Sequence, residues 1–198
     1  ARVFRPCTTD AGHDSAPAPN RLERAFRVER LNTVWIGDIT YIQTDAGFLY
    51  LACVMDLCSR RIVGWSMADN LRPSFVIEAL GGALRDRRPA AGLIFHSDRG
   101  IQYACRGFRE RLAEHGIIQS MSGRGNCYDN APIESFWGKL KTESIRHESL
   151  RHHADARAAV FTYIEGFYNR TRSHSSIGYL SPEQFEASLS DRKSTRLN

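Results

Sequence analysis

The sequence predicts an α/β fold, a mixed five-stranded sheet flanked by helices. Three observations lead there. Three β-rich runs come first, Val34 to Gln43, Phe48 to Leu57 and Arg61 to Ala68, separated only by Asp45-Ala46-Gly47 and Cys58-Ser59-Arg60. Connections this short make an antiparallel meander. Two more short apolar runs follow, Gly92 to Phe95 and Ile117 to Met121, each preceded by a segment of helical spacing. A helix between strands makes their pairing parallel, so the sheet is mixed.

Taken in order, residues 1–30 contain Pro6, Gly12, Pro17 and Pro19 and little periodicity, which reads as a lead-in or linker with a short helical turn near Arg21 to Phe26. The core is expected over 31–190. After the meander, Pro73 opens a helix through Arg85, with Phe75, Val76, Ala79, Leu80 and Ala83 on one face. A second amphipathic helix, Gln102 to Glu114, stops at Gly116. Ser122-Gly123-Arg124-Gly125-Asn126 suits a mobile loop. Next comes the helix of Glu134, with Asp129 or Asn130 as its cap and Pro132 in its first turn. Glu134 is expected on the packed side it shares with Trp137, and Lys141, two turns on, returns to nearly the same face. Ala156 to Tyr168 reads as a packed helix, and Ser181-Pro182-Glu183 opens a last short one in a C-terminal helical extension.

Composition narrows the class without naming the function. At 198 residues and 42% apolar, the chain can bury one good core. No apolar run is long enough to span a bilayer and the start is no secretory signal, so a cytoplasmic protein without membrane contact is expected. Five cysteines form no C-x-x-C pair, which leaves reduced thiols as the expectation and no zinc site. The net charge of +5 hints at an anionic partner. Yet residues 1–30 and 191–198 carry +2 each, so the body holds only about +1.

Chemistry enters through three acids. Asp38 sits inside the apolar run VWIGDITYI, Asp98 just past LIFHS, and Glu134 on its helix. A lone carboxylate in a buried strand is costly unless it binds a metal or accepts hydrogen bonds. If the first and fourth strands are neighbours, the three carboxylates meet at one edge of the sheet. Such a set suits two Mg²⁺ ions about 3.5–4 Å apart acting on a phosphodiester. Each acid also has a plain reading: Asp38 a satisfied strand-end residue, Asp98 a turn former, Glu134 a solvated helix acid. His96 reads as a hydrogen-bonded packing residue. In the non-periodic stretch Tyr168 to His174, Arg170, Arg172 and His174 offer phosphate donors.

The strings WIGDITYI, HSDRGIQY, GNCYDNAPIESFWGKLK and YNRTRSHSSIGYLSPEQFE, in that order, resemble the catalytic core of orfB-type transposases of the IS-three insertion-sequence family, in the retroviral-integrase-like DDE group. The likeness runs from about Asp14 to Leu189, and the 35 residues between Asp98 and Glu134 match the group's spacing. The resemblance implies an RNase H-like fold, with Asp38, Asp98 and Glu134 as catalytic metal ligands for two Mg²⁺, Mn²⁺ being a substitute. It implies Lys141 as a DNA contact beside the site; Arg124, in the loop before the helix, joins Arg170, Arg172 and His174 as a candidate DNA-binding residue. It also implies the activity: cleavage at the element's 3′ ends and strand transfer by direct transesterification. The partners would be the element's terminal repeats and target DNA, met as a homo-oligomer. Two alternatives stand beside it, an RNase H-like nuclease or resolvase and an inactive DNA-binding relic.

Relatives of this kind carry an N-terminal helix-turn-helix portion, and nothing before Asn32 has two helices around a turn, so the chain reads as the catalytic part of a longer product. Its last eight residues, DRKSTRLN, resemble the translation of a common sequencing adapter codon for codon. They are expected to be non-native.

Overall fold

The computed structural model describes residues 17–123 and 127–195. β1 (Val34–Thr44) is central, and its side chains explain why: Trp35 and Ile39 face one side, Ile36 and Ile42 the other, all buried. A strand apolar on both faces needs cover on both. β2 (Gly47–Asp56) returns antiparallel, pairing from Thr44 opposite Gly47 to Trp35 opposite Asp56, and β3 (Ile62–Ala68) adds antiparallel outside it. β4 (Ile94–Ser97) and β5 (Ile118–Met121) lie parallel on the other flank, giving the order β3-β2-β1-β4-β5. The expected mixed five-stranded sheet is the observed one.

One face is covered by α1 (Ser74–Arg87), α2 (Ile101–Ala104) and α3 (Arg106–Glu114), which bring Phe75, Leu80, Tyr103 and Phe108 to Trp35 and Phe95. Gly64 lets α1 sit directly on β3, since a side chain there would run into Ala79 O and Ala83 N. The other face is covered by α4 (Ala131–Glu143) and α5 (His153–Phe161), through Ile133, Phe136, Trp137, Leu140 and Val160. Among the described residues no helix is long and apolar enough to cross a membrane.

Four local expectations need correction. The helix expected over Gln102 to Glu114 is broken at Cys105, whose backbone is extended (φ −64°, ψ 153°). The break lets Tyr103 and Phe108 meet edge to face at 5.3 Å inside the core. The helix expected to Tyr168 changes at Thr162 to a π-helix, Thr162–Tyr168. Its wider turn buries Tyr163, Ile164 and Tyr168 together and leads to Asn169, whose amide pairs with both Ile62 N and Ile62 O at 3.0 Å. The turn near Arg21 is not helical: Glu23 and Arg24 have positive φ, and Asn20 Oδ1 accepts from the backbone of Leu22 and Glu23. Finally, α6 (Pro182–Thr195) is not short. Its backbone continues through the first residues of the tail, and Glu186 docks it by accepting from Ser59 Oγ (2.8 Å), Arg61 Nη1 (3.3 Å) and both terminal nitrogens of Arg87 (2.8 and 2.7 Å).

Candidate active site

The last register pair between β1 and β4 is Gly37 with Ser97. Asp38 and Asp98 follow it in each strand, so they leave the pairing side by side. Asp38 remains in β1, opposite Cys53, on the edge that β4 no longer covers. Asp98 starts a turn in which its Oδ1 accepts from Gly100 N at 2.9 Å.

α4 crosses this edge and supplies the next groups. Trp137 donates its indole N–H to Asp38 Oδ2 at 2.8 Å. Lys141 rests its ammonium 5.0 Å from the centre of the Tyr41 ring. Glu134 stands in the first turn of α4. It is exposed, contrary to the packed position expected beside Trp137, because Ile133, Phe136, Trp137 and Leu140 fill the face toward the sheet.

Electrostatics link the acids. Burial, then the charge of Asp98, push the Asp38 carboxyl up from 3.8 to about 7, with Glu134 adding to the rise, while the Trp137 and Ile39 N–H groups oppose it. Burial raises Glu134 and lowers Lys141, and Asp38 partly restores the lysine's charge. The three acids and Lys141 therefore share one neighbourhood. Among the described residues, however, no three His, Cys, Asp or Glu side chains are grouped so as to hold a metal ion. The expected meeting of three acids is incomplete, since the rotation of α4 leaves Glu134 outermost.

The residues nevertheless fit a hard divalent cation on the Asp98 side. A Cβ on Gly100 would lie 3.0 and 3.6 Å from the two Asp98 carboxylate oxygens and 3.1 Å from Gln102 Oε1. Carboxylate and amide oxygens are the donor type Mg²⁺ prefers.

The other expected residues divide. His96 is fully buried, within hydrogen-bond distance of Ser120 Oγ (2.8 Å) and Ser122 Oγ (3.2 Å), and burial lowers it to about 4, so it is a neutral packing residue. Arg170 is largely exposed, its side chain 68% accessible, with Glu183 at 3.8 Å. Arg172 forks onto Glu143, with Nε to Oε2 at 2.8 Å and Nη2 to Oε1 at 2.7 Å, and holds Glu143 below its usual range. His174 is buried against the Tyr168 ring and lowered to about 4, chiefly by burial. Arg124 lies outside the described residues.

Asp129 does not cap α4. A 3₁₀ turn, Cys127–Asn130, precedes the helix, and no side-chain cap bond forms. The buried Asp129 carboxylate instead accepts from Asn20 Nδ2 (3.1 Å), Arg24 Nε (3.0 Å) and Gly123 N (3.0 Å). It thereby ties the lead-in to the approach to α4. Sequence reasoning missed this tie, the Trp137 bond and the place of Gln102. Each lies within or beside a string that carries the family resemblance, which is the signal available for them.

A family model described as an integrase core domain matches residues 28–127, and a second of the same description matches residues 115–182. A 31 kDa insertion element IS600 protein of Shigella sonnei is 45% identical over 93% of this chain and 67% of its own length. The transposase InsF for insertion sequence IS3A of Escherichia coli is likewise 45% identical, over 94% of this chain and 64% of its own length. The chain thus spans about two-thirds of these relatives. Among solved structures, the HTLV-2 integrase catalytic core in complex with magnesium superposes with a TM-score of 0.59 at 17% identity, over 78% of this chain and 95% of that one. A simian T-cell lymphotropic virus intasome gives a TM-score of 0.66 at 18% identity, over 90% of this chain and 60% of that one. Both likenesses speak for the fold alone, which is RNase H-like.

Proposed function

We propose that this chain, which belongs to the integrase core domain family as a transposase of the IS3 type, cleaves the 3′ ends of a bacterial insertion sequence and joins them to target DNA. The observation that carries the reading is the β1–β4 register, which sets Asp38 and Asp98 one step past the same pair, so that the charge of Asp98 helps to raise the buried Asp38 carboxyl. Two like charges this close favour a cation between them.

Asp38 and Asp98, with Glu134 from α4, would hold two Mg²⁺ ions, for which Mn²⁺ can substitute. Bound there, the metal supplies Lewis-acid activation of a water or 3′-hydroxyl and stabilises the leaving oxygen. The chain's own groups do the rest. The Trp137 N–H orients the Asp38 carboxylate. Lys141, next to Tyr41 and within reach of the Asp38 charge, offers a cation to a DNA phosphate. Arg170 extends that contact from an exposed position. The DNA partners are the element's terminal repeats and the target, engaged in the cytoplasm by a homo-oligomer.

The test is Mg²⁺-dependent joining of a short duplex with a 3′-hydroxyl end to plasmid DNA. Wild type is expected to give joined product, and Asp38→Asn, Asp98→Asn and Glu134→Gln none. Nicked but unjoined plasmid would favour a nuclease, and joining that survives Asp98→Asn would break the reading.

A further inference from the structure

Lys141 meets Tyr41 from the far side of the sheet. Side chains alternate along β1, so Tyr41, two residues past Ile39, belongs to the face that α1, α2 and α3 cover. Lys141 starts from α4, which covers the opposite face. Its Nζ nevertheless stands over the Tyr41 ring, 5.0 Å from the centre. The stem of Lys141 therefore passes around an edge of β1.

Only one edge leaves room. β2 pairs with β1 from Trp35 to Thr44, whereas β4 pairs with it only from Val34 to Gly37. Beyond Gly37 no other strand of the described residues adjoins β1 on that side. The lysine crosses the edge there, on the stretch of β1 that begins with Asp38.

The contact is a held one. Phe48 fixes the Tyr41 ring edge to face, with centroids 5.2 Å apart and planes at 81°. Among the described residues, Lys141 has no ion pair or hydrogen bond and the Tyr41 hydroxyl has no hydrogen bond. A carboxylate partner would cancel the ammonium charge. A ring face attracts the cation through its quadrupole, keeps the charge, and leaves the N–H groups that point away from it free to donate. It also restrains a long flexible stem whose freedom would otherwise be lost when a ligand binds.

We propose that Tyr41 is a positioning residue for DNA binding: its ring draws the Lys141 ammonium across the open edge of β1 and holds it there, set in advance to meet a DNA phosphate. The inference rests on the reading of Lys141 as a DNA contact. A cation held on a ring at an exposed site is worth about two- to fivefold in affinity.

The experiment is a double-mutant cycle on the whole chain, read by fluorescence anisotropy of a short duplex with a 3′-hydroxyl end at low salt, where a phosphate contact is least screened. Tyr41→Phe keeps the ring face and is expected to bind like wild type. Tyr41→Leu is expected to weaken binding about two- to fivefold, and to change nothing further once Lys141→Met has removed the charge. The contact with Phe48 is lost in both backgrounds and cancels in the cycle. Tyr41→Ile, suited to a strand, stands in if melting curves show that Tyr41→Leu does not fold. Tyr41→Leu that binds like wild type, or that weakens binding equally in the Lys141→Met background, overturns the proposal, while weaker binding by Lys141→Met alone leaves the DNA contact standing. Tyr41→Phe that binds as weakly as Tyr41→Leu also overturns it, since the hydroxyl and not the ring would then be at work. Lys141→Met that binds like wild type overturns the DNA contact and the proposal with it.

Discussion

The indole N–H of Trp137 reaches Asp38 Oδ2 at 2.8 Å, so the helix that carries Glu134 is fastened to the strand that carries the first acid. The bond orients the Asp38 carboxylate from a helix whose rotation its apolar face sets. Trp137→Phe keeps an aromatic ring but removes the donor and part of the buried indole, and the carboxylate oxygen left unpaired alone costs about 1–3 kcal/mol. The hydrogen bond lowers the Asp38 pKa, so its loss raises it further. Calorimetric Mg²⁺ titrations in the presence of the DNA duplex should show binding displaced to higher pH. An unchanged pH profile would separate Asp38 from the cation.

Asp38 also makes a stability prediction with a defined sign. Its carboxyl is raised from 3.8 to about 7, so between those values the folded chain holds a proton that the unfolded chain has released. Its contribution to stability is complete below about pH 3.8 and is lost as pH rises through about 7. Without divalent cation, Asp38→Asn should therefore melt higher than wild type at pH 8, by about 2–4 °C for each kcal/mol relieved. The difference should vanish toward pH 4, and scanning calorimetry at the two pH values checks it. Equal melting temperatures at pH 8 would mean that Asp38 is not strained by its surroundings.

Arg170 and Arg172 are two residues apart and should behave oppositely. Arg172 is bound to Glu143 through a fork that lysine cannot reproduce, so Arg172→Lys should lower stability by about 1 kcal/mol in urea denaturation. Arg170 is largely exposed, with Glu183 only at 3.8 Å, so Arg170→Ala should leave the urea midpoint unchanged. It should instead weaken DNA binding and reduce the salt slope by about one. A DNA affinity insensitive to Arg170→Ala would remove it from the interface.

Much of this architecture is legible in the chain itself. The meander from Val34 to Ala68, the helix after Pro73, and the positions of Asp38 and Asp98 at their strands follow from local alternation and turn residues. The helix break at Cys105 and the π-turn after Phe161 were not legible, because they answer to packing: Tyr103 must meet Phe108, and Asn169 must reach Ile62. The sequence puts Glu134 on its helix but not on its side of that helix, which the structure leaves exposed. Trp137 and Glu134 are three residues apart, close enough for one helical stripe, and only the shape of the sheet beneath decides which of them turns inward.

By itself, then, the sequence determined the kind and order of the elements, the three acids and the family they resemble, because periodicity, turn chemistry and residue identity are properties of neighbours along the chain. The tertiary structure alone decided that β1 pairs with β4 so that Asp38 stands beside Asp98, that Asp129 binds the lead-in instead of capping α4, and that the Gln102 amide oxygen is buried without a hydrogen-bond partner. These are contacts between distant segments. Their free energy depends on which groups burial brings together and which it strips of water, and no local pattern encodes that.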